Sequence, residues 1–145
     1  MGFKNKARLA DLFAGSGCFS GHMAEYGSVD AYEFDGQAVS ALSKAGGSIG
    51  ITAHKRNLFE RPLVPKELDV YDVVLFDPPR AGAKEQVEEL ANSKVKTVIA
   101  VSCNPRSFAR DAERLIDGGY RLKTLQVVDQ FIYSTHAEIV AVFGR

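Results

Sequence analysis

The stretch Val101-Ser102-Cys103-Asn104-Pro105-Arg106-Ser107-Phe108-Ala109-Arg110-Asp111 constrains this chain more than any other. Thr97 to Val101 is a short β-branched run that reads as a buried strand. Asn104 is a good helix N-cap, and Pro105 falls at the first helical position, where its missing N–H costs nothing. A strand that passes through a tight turn into a helix is the unit of an α/β sheet, whose ligands sit at the strand carboxyl ends. The turn sets Cys103 just ahead of a helix N-terminus, where unpaired N–H groups and the helix dipole favour a thiolate. Two readings fit Cys103: a prepared nucleophile, or a small buried hydrophobe closing a strand, as most free cysteines are.

The rest of the chain repeats that unit. Ala7 to Phe13 reads as a strand running into Ala14-Gly15-Ser16-Gly17-Cys18, and Phe19 to Tyr26 as a short helix stopped by Gly27. Ser28 to Phe34 is a second strand, followed by a helix over Gly36 to Ala45 that Gly46-Gly47 ends. A short strand near Ile51 to His54 leads through a loop with Pro62 and Pro65 to the strand Tyr71 to Phe76. Asp77-Pro78-Pro79-Arg80 stops that strand, and Ala83 to Asn92 reads as an amphipathic helix. The helix from Pro105 to Asp117 puts Phe108, Ala112, Leu115 and Ile116 on one face and stops at Gly118-Gly119. Arg121 to Phe131 and Ala137 to Phe143 then follow each other with only a short connection, so they pair antiparallel. The expected fold is therefore α/β: a doubly wound, mostly parallel sheet with a terminal antiparallel hairpin, in one domain spanning 1–145.

The polar residues that stand out all map to one edge of that sheet. Gly15 and Gly17 make a tight turn that lets backbone approach a ligand closely, but the dinucleotide pattern G-x-G-x-x-G is not completed, since Ser20 holds the third place and Gly21 comes one later. Glu33, at the end of the second strand, is placed to accept both hydroxyls of a ribose, which points to an adenosine without choosing the cofactor. Asn57 suits an adenine edge and equally an ordinary turn. Asp77 precedes two prolines that fix the backbone and aim the acid outward. Amino-methyltransferases of adenine and cytosine share an Asp-Pro-Pro turn but follow it with an aromatic residue, where this chain has Arg80.

The formal net charge is zero, so no overall electrostatic footprint for a nucleic acid exists. Arg106, Arg110 and Arg114 share a helical face that could meet phosphate or simply be solvated, with Glu113 and Asp117 nearby. Two cysteines, Cys18 and Cys103, suggest a reducing compartment rather than a disulfide scaffold. With no signal peptide, membrane-length apolar run or repeat legible, a soluble cytoplasmic protein is the expectation.

Taken together, Asp11 to Ser20, Asp77-Pro78-Pro79-Arg80-Ala81-Gly82, Val101 to Asp111, and Val128-Asp129-Gln130-Phe131 with Thr135-His136-Ala137-Glu138 resemble, in that order, the catalytic domain of the RNA uracil-5-methyltransferases, the ribosomal members slightly more than the transfer-RNA ones. The resemblance implies a seven-stranded sheet of order 3-2-1-4-5-7-6, S-adenosylmethionine as cofactor, RNA as partner and no metal. It makes Cys103 the nucleophile that adds to uracil C6 and Glu138 the base that removes the C5 proton. Phe13, Gly15, Gly17, Cys18, Glu33, Asn57 and Asp77 become the cofactor shell; Asp77, Arg80 and Asn104 face the uridine; His136 positions the turn before Glu138. Cys18 stands where relatives often carry a polar residue. Family members also carry sequence ahead of this domain, often with a small RNA-binding β-barrel, so the chain is expected to be an excised or truncated catalytic domain with weak or absent activity alone.

Three other readings stand beside this one. A cofactor-binding module without catalysis would be indifferent to Cys103→Ala. A nicotinamide-dependent oxidoreductase is disfavoured by the missing third glycine. The RNA cytosine-5-methyltransferases use the same thiolate logic but place a second cysteine after Asp-Pro, where this chain has Pro79-Arg80.

Overall fold

The computed structural model describes residues 6–129 and 137–145. Its strands are β1 (Ala7–Leu12), β2 (Gly27–Glu33), β3 (Ile51–Lys55), β4 (Val73–Phe76), β5 (Thr97–Ser102), β6 (Arg121–Asp129) and β7 (Ala137–Gly144). Helices α1 (Cys18–Met23), α2 (Gly36–Gly46), α3 (Pro65–Leu68), α4 (Lys84–Ala91) and α5 (Pro105–Asp117) connect them. The strands form one sheet in the order β3-β2-β1-β4-β5-β7-β6, parallel from β3 to β5, with β7 antiparallel to both β5 and β6. This is the expected order and the expected hairpin.

The middle strands read as nearly continuous apolar runs because both of their faces are buried. On one face Leu12, Val74, Phe76, Val98 and Phe143 pack with Leu90 of α4 and Leu115 of α5. On the other, Leu9, Val29, Ala31 and Ile51 pack with Leu42 of α2. Tyr120 is almost fully enclosed, and its hydroxyl donates to the carbonyl of Val95 at 2.5 Å.

Several boundaries differ from the sequence expectation. Helix α1 runs from Cys18 to Met23, and Gly27 opens β2 instead of stopping the helix. A Cβ at Gly27 would lie 2.0 Å from the Ala7 carbonyl oxygen, so close strand pairing is what demands glycine there. Phe13 leaves β1 with φ +61°, turning the chain over the sheet edge. The four-residue α3 lies inside the segment read as a loop, where Pro65 takes the first helical position and Glu67 accepts from the Val64 N–H at 3.0 Å. On α5, Ser107, Asp111 and Leu115 are buried, while Ile116 points away and is 49% exposed, which corrects its place on the packing face. Residues 130–136, with the Gln130-Phe131 and Thr135-His136 parts of the fourth motif and the role given to His136, lie outside the described residues.

Candidate functional site

Along the carboxyl edge of the parallel strands, neighbouring strands each end in a chemically active side chain. Glu33 closes β2, Asp11 is the second-last residue of β1, Asp77 follows β4 and Cys103 follows β5. Because β7 runs antiparallel, its second residue, Glu138, arrives at that same edge. The last β5–β7 pair is Ser102 with Ile139, and Cys103 and Glu138 are the residues one step beyond it on the two chains, at the same edge of the sheet. Both residues are half-buried. Strand register thus carries these two residues, 35 positions apart, to the same sheet edge.

Two loops build the rest of the edge, and hydrogen bonds fasten them together. Asn104 caps α5 by accepting from the Arg106 N–H at 3.1 Å, as its place before Pro105 predicts, and its Nδ2 donates to the Arg80 carbonyl at 3.0 Å. Ser107 Oγ donates to that carbonyl as well, at 2.9 Å. Asp111 accepts from the Ala83 N–H at 2.9 Å, and Arg110 joins the Asp111 carboxylate to the Ala81 carbonyl. Arg114 makes a two-pronged pair with Glu88 at 2.6 and 2.8 Å. Arg110 and Arg114 are therefore committed to protein partners, and of the three arginines on that face Arg106 is the one left exposed without an ion pair among the described residues.

On the other side of Asp77 lies a cleft of about 280 Å³. Four of the seven residues expected around a cofactor line it: Phe13, Glu33, Asn57 and Asp77. Gly15 and Gly17 form the turn beside it, with positive φ of 57° and 88°. The Gly15 N–H donates to Glu33 Oε1 at 3.0 Å and the Asp35 N–H to Oε2 at 2.6 Å, which fixes the carboxylate and leaves each oxygen further lone pairs for a ligand. Cys18 is exposed at the start of α1, its sulfur 3.7 Å from Ser16 Oγ, and does not line the cleft.

Sequence reasoning missed the cleft's aromatic wall and its brace. Phe34 and Phe59 line the cleft beside Phe13, and the Phe13 and Phe59 rings sit 5.3 Å apart. They follow Glu33 by one residue and Asn57 by two, which was the available signal. Arg56 bonds the carbonyls of Arg61 and Pro62 and the carboxylate of Glu67, and so shapes the loop that carries Asn57 and Phe59.

Asp11 was also missed as a site residue. It is 0% exposed; Oδ2 accepts from Ser20 Oγ at 2.5 Å, and Oδ1 has no partner. Burial pushes its carboxyl up to about 6 against the Ser20 hydrogen bond, and the charges of Asp77 and Glu33 add to the rise. Asp77 is also pushed up to about 6, by burial first and by the Glu138 charge second. Among the described residues no lysine or arginine pairs with Glu33, Asp11, Asp77 or Glu138. A ligand that is flat and aromatic at one end and cationic at the other fits this arrangement. The described residues contain no group of three or more His, Cys, Asp or Glu suited to a metal ion, and no helix among them is long and apolar enough to cross a membrane.

Comparison with known proteins adds the following. A family described as tRNA (uracil-5-)-methyltransferase matches residues 49–144. An uncharacterized RNA methyltransferase of Agrobacterium fabrum is 50% identical over 142 residues, which is 95% of this chain and 34% of that protein. A 23S rRNA (uracil(1939)-C(5))-methyltransferase of Alteromonas naphthalenivorans is 37% identical, covering 95% of this chain and 30% of that one. The crystal structure of a Pyrococcus abyssi tRNA (uracil-54, C5)-methyltransferase in complex with S-adenosyl-L-homocysteine superimposes with a TM-score of 0.80 at 27% identity, over 96% of this chain and 34% of the other. The chain spans about a third of the length of these relatives.

Proposed function

Given that the chain belongs to the tRNA (uracil-5-)-methyltransferase family, we propose that it is the catalytic part of an S-adenosylmethionine-dependent enzyme that methylates C5 of uridine in RNA. The observation that supports this reading is that Cys103 and Glu138 both stand just past the last β5–β7 pair, at the sheet edge where Asp77 lines the cleft and feels the Glu138 charge.

The chemistry requires both residues. Uracil C5 is a poor nucleophile. Addition of the Cys103 thiolate to C6 forms a C–S bond and moves the ring's electrons toward O4, which makes C5 an enolate carbon. Bound in the cleft, S-adenosylmethionine supplies an electrophilic methyl group. Glu138 then takes the proton from C5, the C5–C6 double bond re-forms, and the C–S bond breaks to return the thiolate. Asp77 lines the cleft and feels the Glu138 charge, and we read it as the group that touches both ligands. Arg80 is exposed on the loop that Asn104 holds, and we read it as a contact to the RNA beside the target base.

Glu33 is read as the acceptor for the ribose hydroxyls and Phe13, Phe34 and Phe59 as the walls for the adenine ring, with Asn57 at its edge. Between targets, the 37% identity to a 23S rRNA enzyme favours ribosomal RNA over transfer RNA.

The test is mass spectrometry after incubation with S-adenosylmethionine and RNA carrying 5-fluorouridine. Fluorine at C5 cannot leave as a proton, so the expected product is a methylated nucleotide adduct on the Cys103 peptide, formed faster on a 23S rRNA fragment than on tRNA. An adduct still formed by Cys103→Ala overturns the reading; no adduct on the wild-type chain overturns the idea that these residues suffice for catalysis by themselves.

A further inference from the structure

The row Glu33, Asp11, Asp77, Glu138 holds four carboxylates and, among the described residues, no paired cation. Arg56 borders the cleft, but its guanidinium is spent on Glu67 and two carbonyls. Helix α1 offers Asp11 the hydroxyl and the backbone N–H of Ser20, and Oδ1 stays without a partner. Its other titratable residues stand elsewhere: Cys18 is exposed at its first position, and His22 faces an apolar groove with Leu9, Val73 and Leu75. From β5 the neighbouring group is Cys103. A fully buried carboxylate with an unpartnered oxygen is costly unless a donor or a cation completes it.

We infer that Asp11 and Asp77 together read the charge on the cofactor's sulfur, so that the site prefers the sulfonium of S-adenosylmethionine to the neutral thioether of S-adenosylhomocysteine. This rests on the cofactor reading above and extends it to product exchange.

During the reaction the site's charge stays balanced. The methyl group leaves with its positive charge to form the new C–C bond, the sulfur keeps the electron pair and becomes neutral, and Glu138 gains the C5 proton. When that proton passes to solvent the carboxylates are left uncompensated. Exchange of the neutral product for a fresh cation restores the balance. A methyl group alone can shift affinity about ten-fold through shape, so charge is separated from shape by the cationic sinefungin and by pH.

The experiment is calorimetric titration of the full chain with adenosine, S-adenosylhomocysteine, S-adenosylmethionine and sinefungin, whose amine is cationic but cannot transfer a methyl, at pH 7.5 and pH 5.0. The wild-type protein is expected to bind the two cations about ten-fold more tightly than S-adenosylhomocysteine at pH 7.5. That ratio contracts toward one at pH 5.0, as the carboxylates take up protons. Asp11→Asn and Asp77→Asn each shrink the ratio at pH 7.5 while leaving adenosine affinity within two-fold (a margin of about 0.4 kcal/mol). Ser20→Ala, which removes the hydrogen bond and keeps the charge, retains the ratio and so separates charge from the packing of α1; should Asp11→Asn fail to fold, Asp77→Asn carries the test. A ratio near one in the wild type, or one that neither pH nor the variants change, overturns the inference and leaves the cofactor reading standing. Failure of every ligand, adenosine included, overturns both.

Discussion

Asn104 Nδ2 lies 3.0 Å from the Arg80 carbonyl while Asn104 Oδ1 lies 3.1 Å from the Arg106 nitrogen, so a single amide fastens the loop after β4 to the turn that carries Cys103. The sequence showed the cap and not the tie, because a hydrogen bond over 24 residues has no local signature. Asn104→Asp keeps the cap and loses the donor; Asn104→Ala loses both. We expect thermal unfolding to show a loss of about 1–2 kcal/mol for alanine and less for aspartate. Both variants slow formation of the Cys103 adduct, because the thiol and Asp77 are no longer held in register.

Gly82 has φ +80°, and a Cβ there would come within 2.6 Å of Arg110 Nη2, 2.8 Å of Asp111 Oδ2 and 2.9 Å of Ser107 Cβ. Strain and crowding act together, with the left-handed backbone alone costing a β-carbon about 1–2 kcal/mol. Gly82→Ala is expected to lower the unfolding midpoint and to free the Asp77–Ala83 loop, read as faster amide exchange at Ala83. Gly15→Ala, at φ +57° with open space around it, carries the backbone cost without the crowding and loses less stability.

Glu138→Gln separates bond formation from release. The amide cannot accept the C5 proton, so addition and methyl transfer proceed while elimination stalls. Ordinary uridine RNA should then accumulate as a methylated adduct on Cys103, visible by mass spectrometry, with turnover down by about 10²–10⁴-fold. If Glu138→Gln turns over freely, Glu138 is a bystander of the register.

The alternation of strands and helices and the terminal hairpin were legible from local pattern, whereas the strand order and the roles of Cys103 and Glu138 came from the resemblance carried by the four motifs. Apolar strand runs end in charged or glycine turns, and two long extended segments with a short connection can only pair with each other. What stayed hidden depends on contacts across the sheet. Gly27 looks like a helix stop in sequence and is required by the Ala7 carbonyl; Ile116 fits the helical period and still faces solvent because α5 packs through Ser107, Asp111 and Leu115. Asp11 stood in the sequence only as the first residue of the Asp11 to Ser20 motif, with no role of its own. A charged residue within the apolar run Leu9 to Leu12 was the available signal, but its burial beneath α1 depends on Ser20 reaching back nine residues.

That buried carboxyl gives stability a pH dependence whose sign is opposite to ordinary acid denaturation. Asp11 is raised from 3.8 to about 6 in the folded chain, so between those values the folded protein holds a proton that the unfolded chain has released. Stability therefore falls as pH rises through roughly 4 to 6 and levels off above, by an amount on the order of 3 kcal/mol for Asp11. Asp77 adds in the same direction, weakened by its partial exposure. Glu67 and Glu88, held below the usual carboxylate range by Arg56 and Arg114, act the other way at lower pH. The difference between wild type and Asp11→Asn isolates the effect: in denaturant titrations Asp11→Asn should gain on the wild type steadily from pH 4 to pH 6 and hold a constant advantage at pH 7.5. Saturating sinefungin should narrow that advantage by completing the wild-type carboxylate with a cation. A constant difference across the whole range would mean that Asp11 ionises as freely when folded as when unfolded.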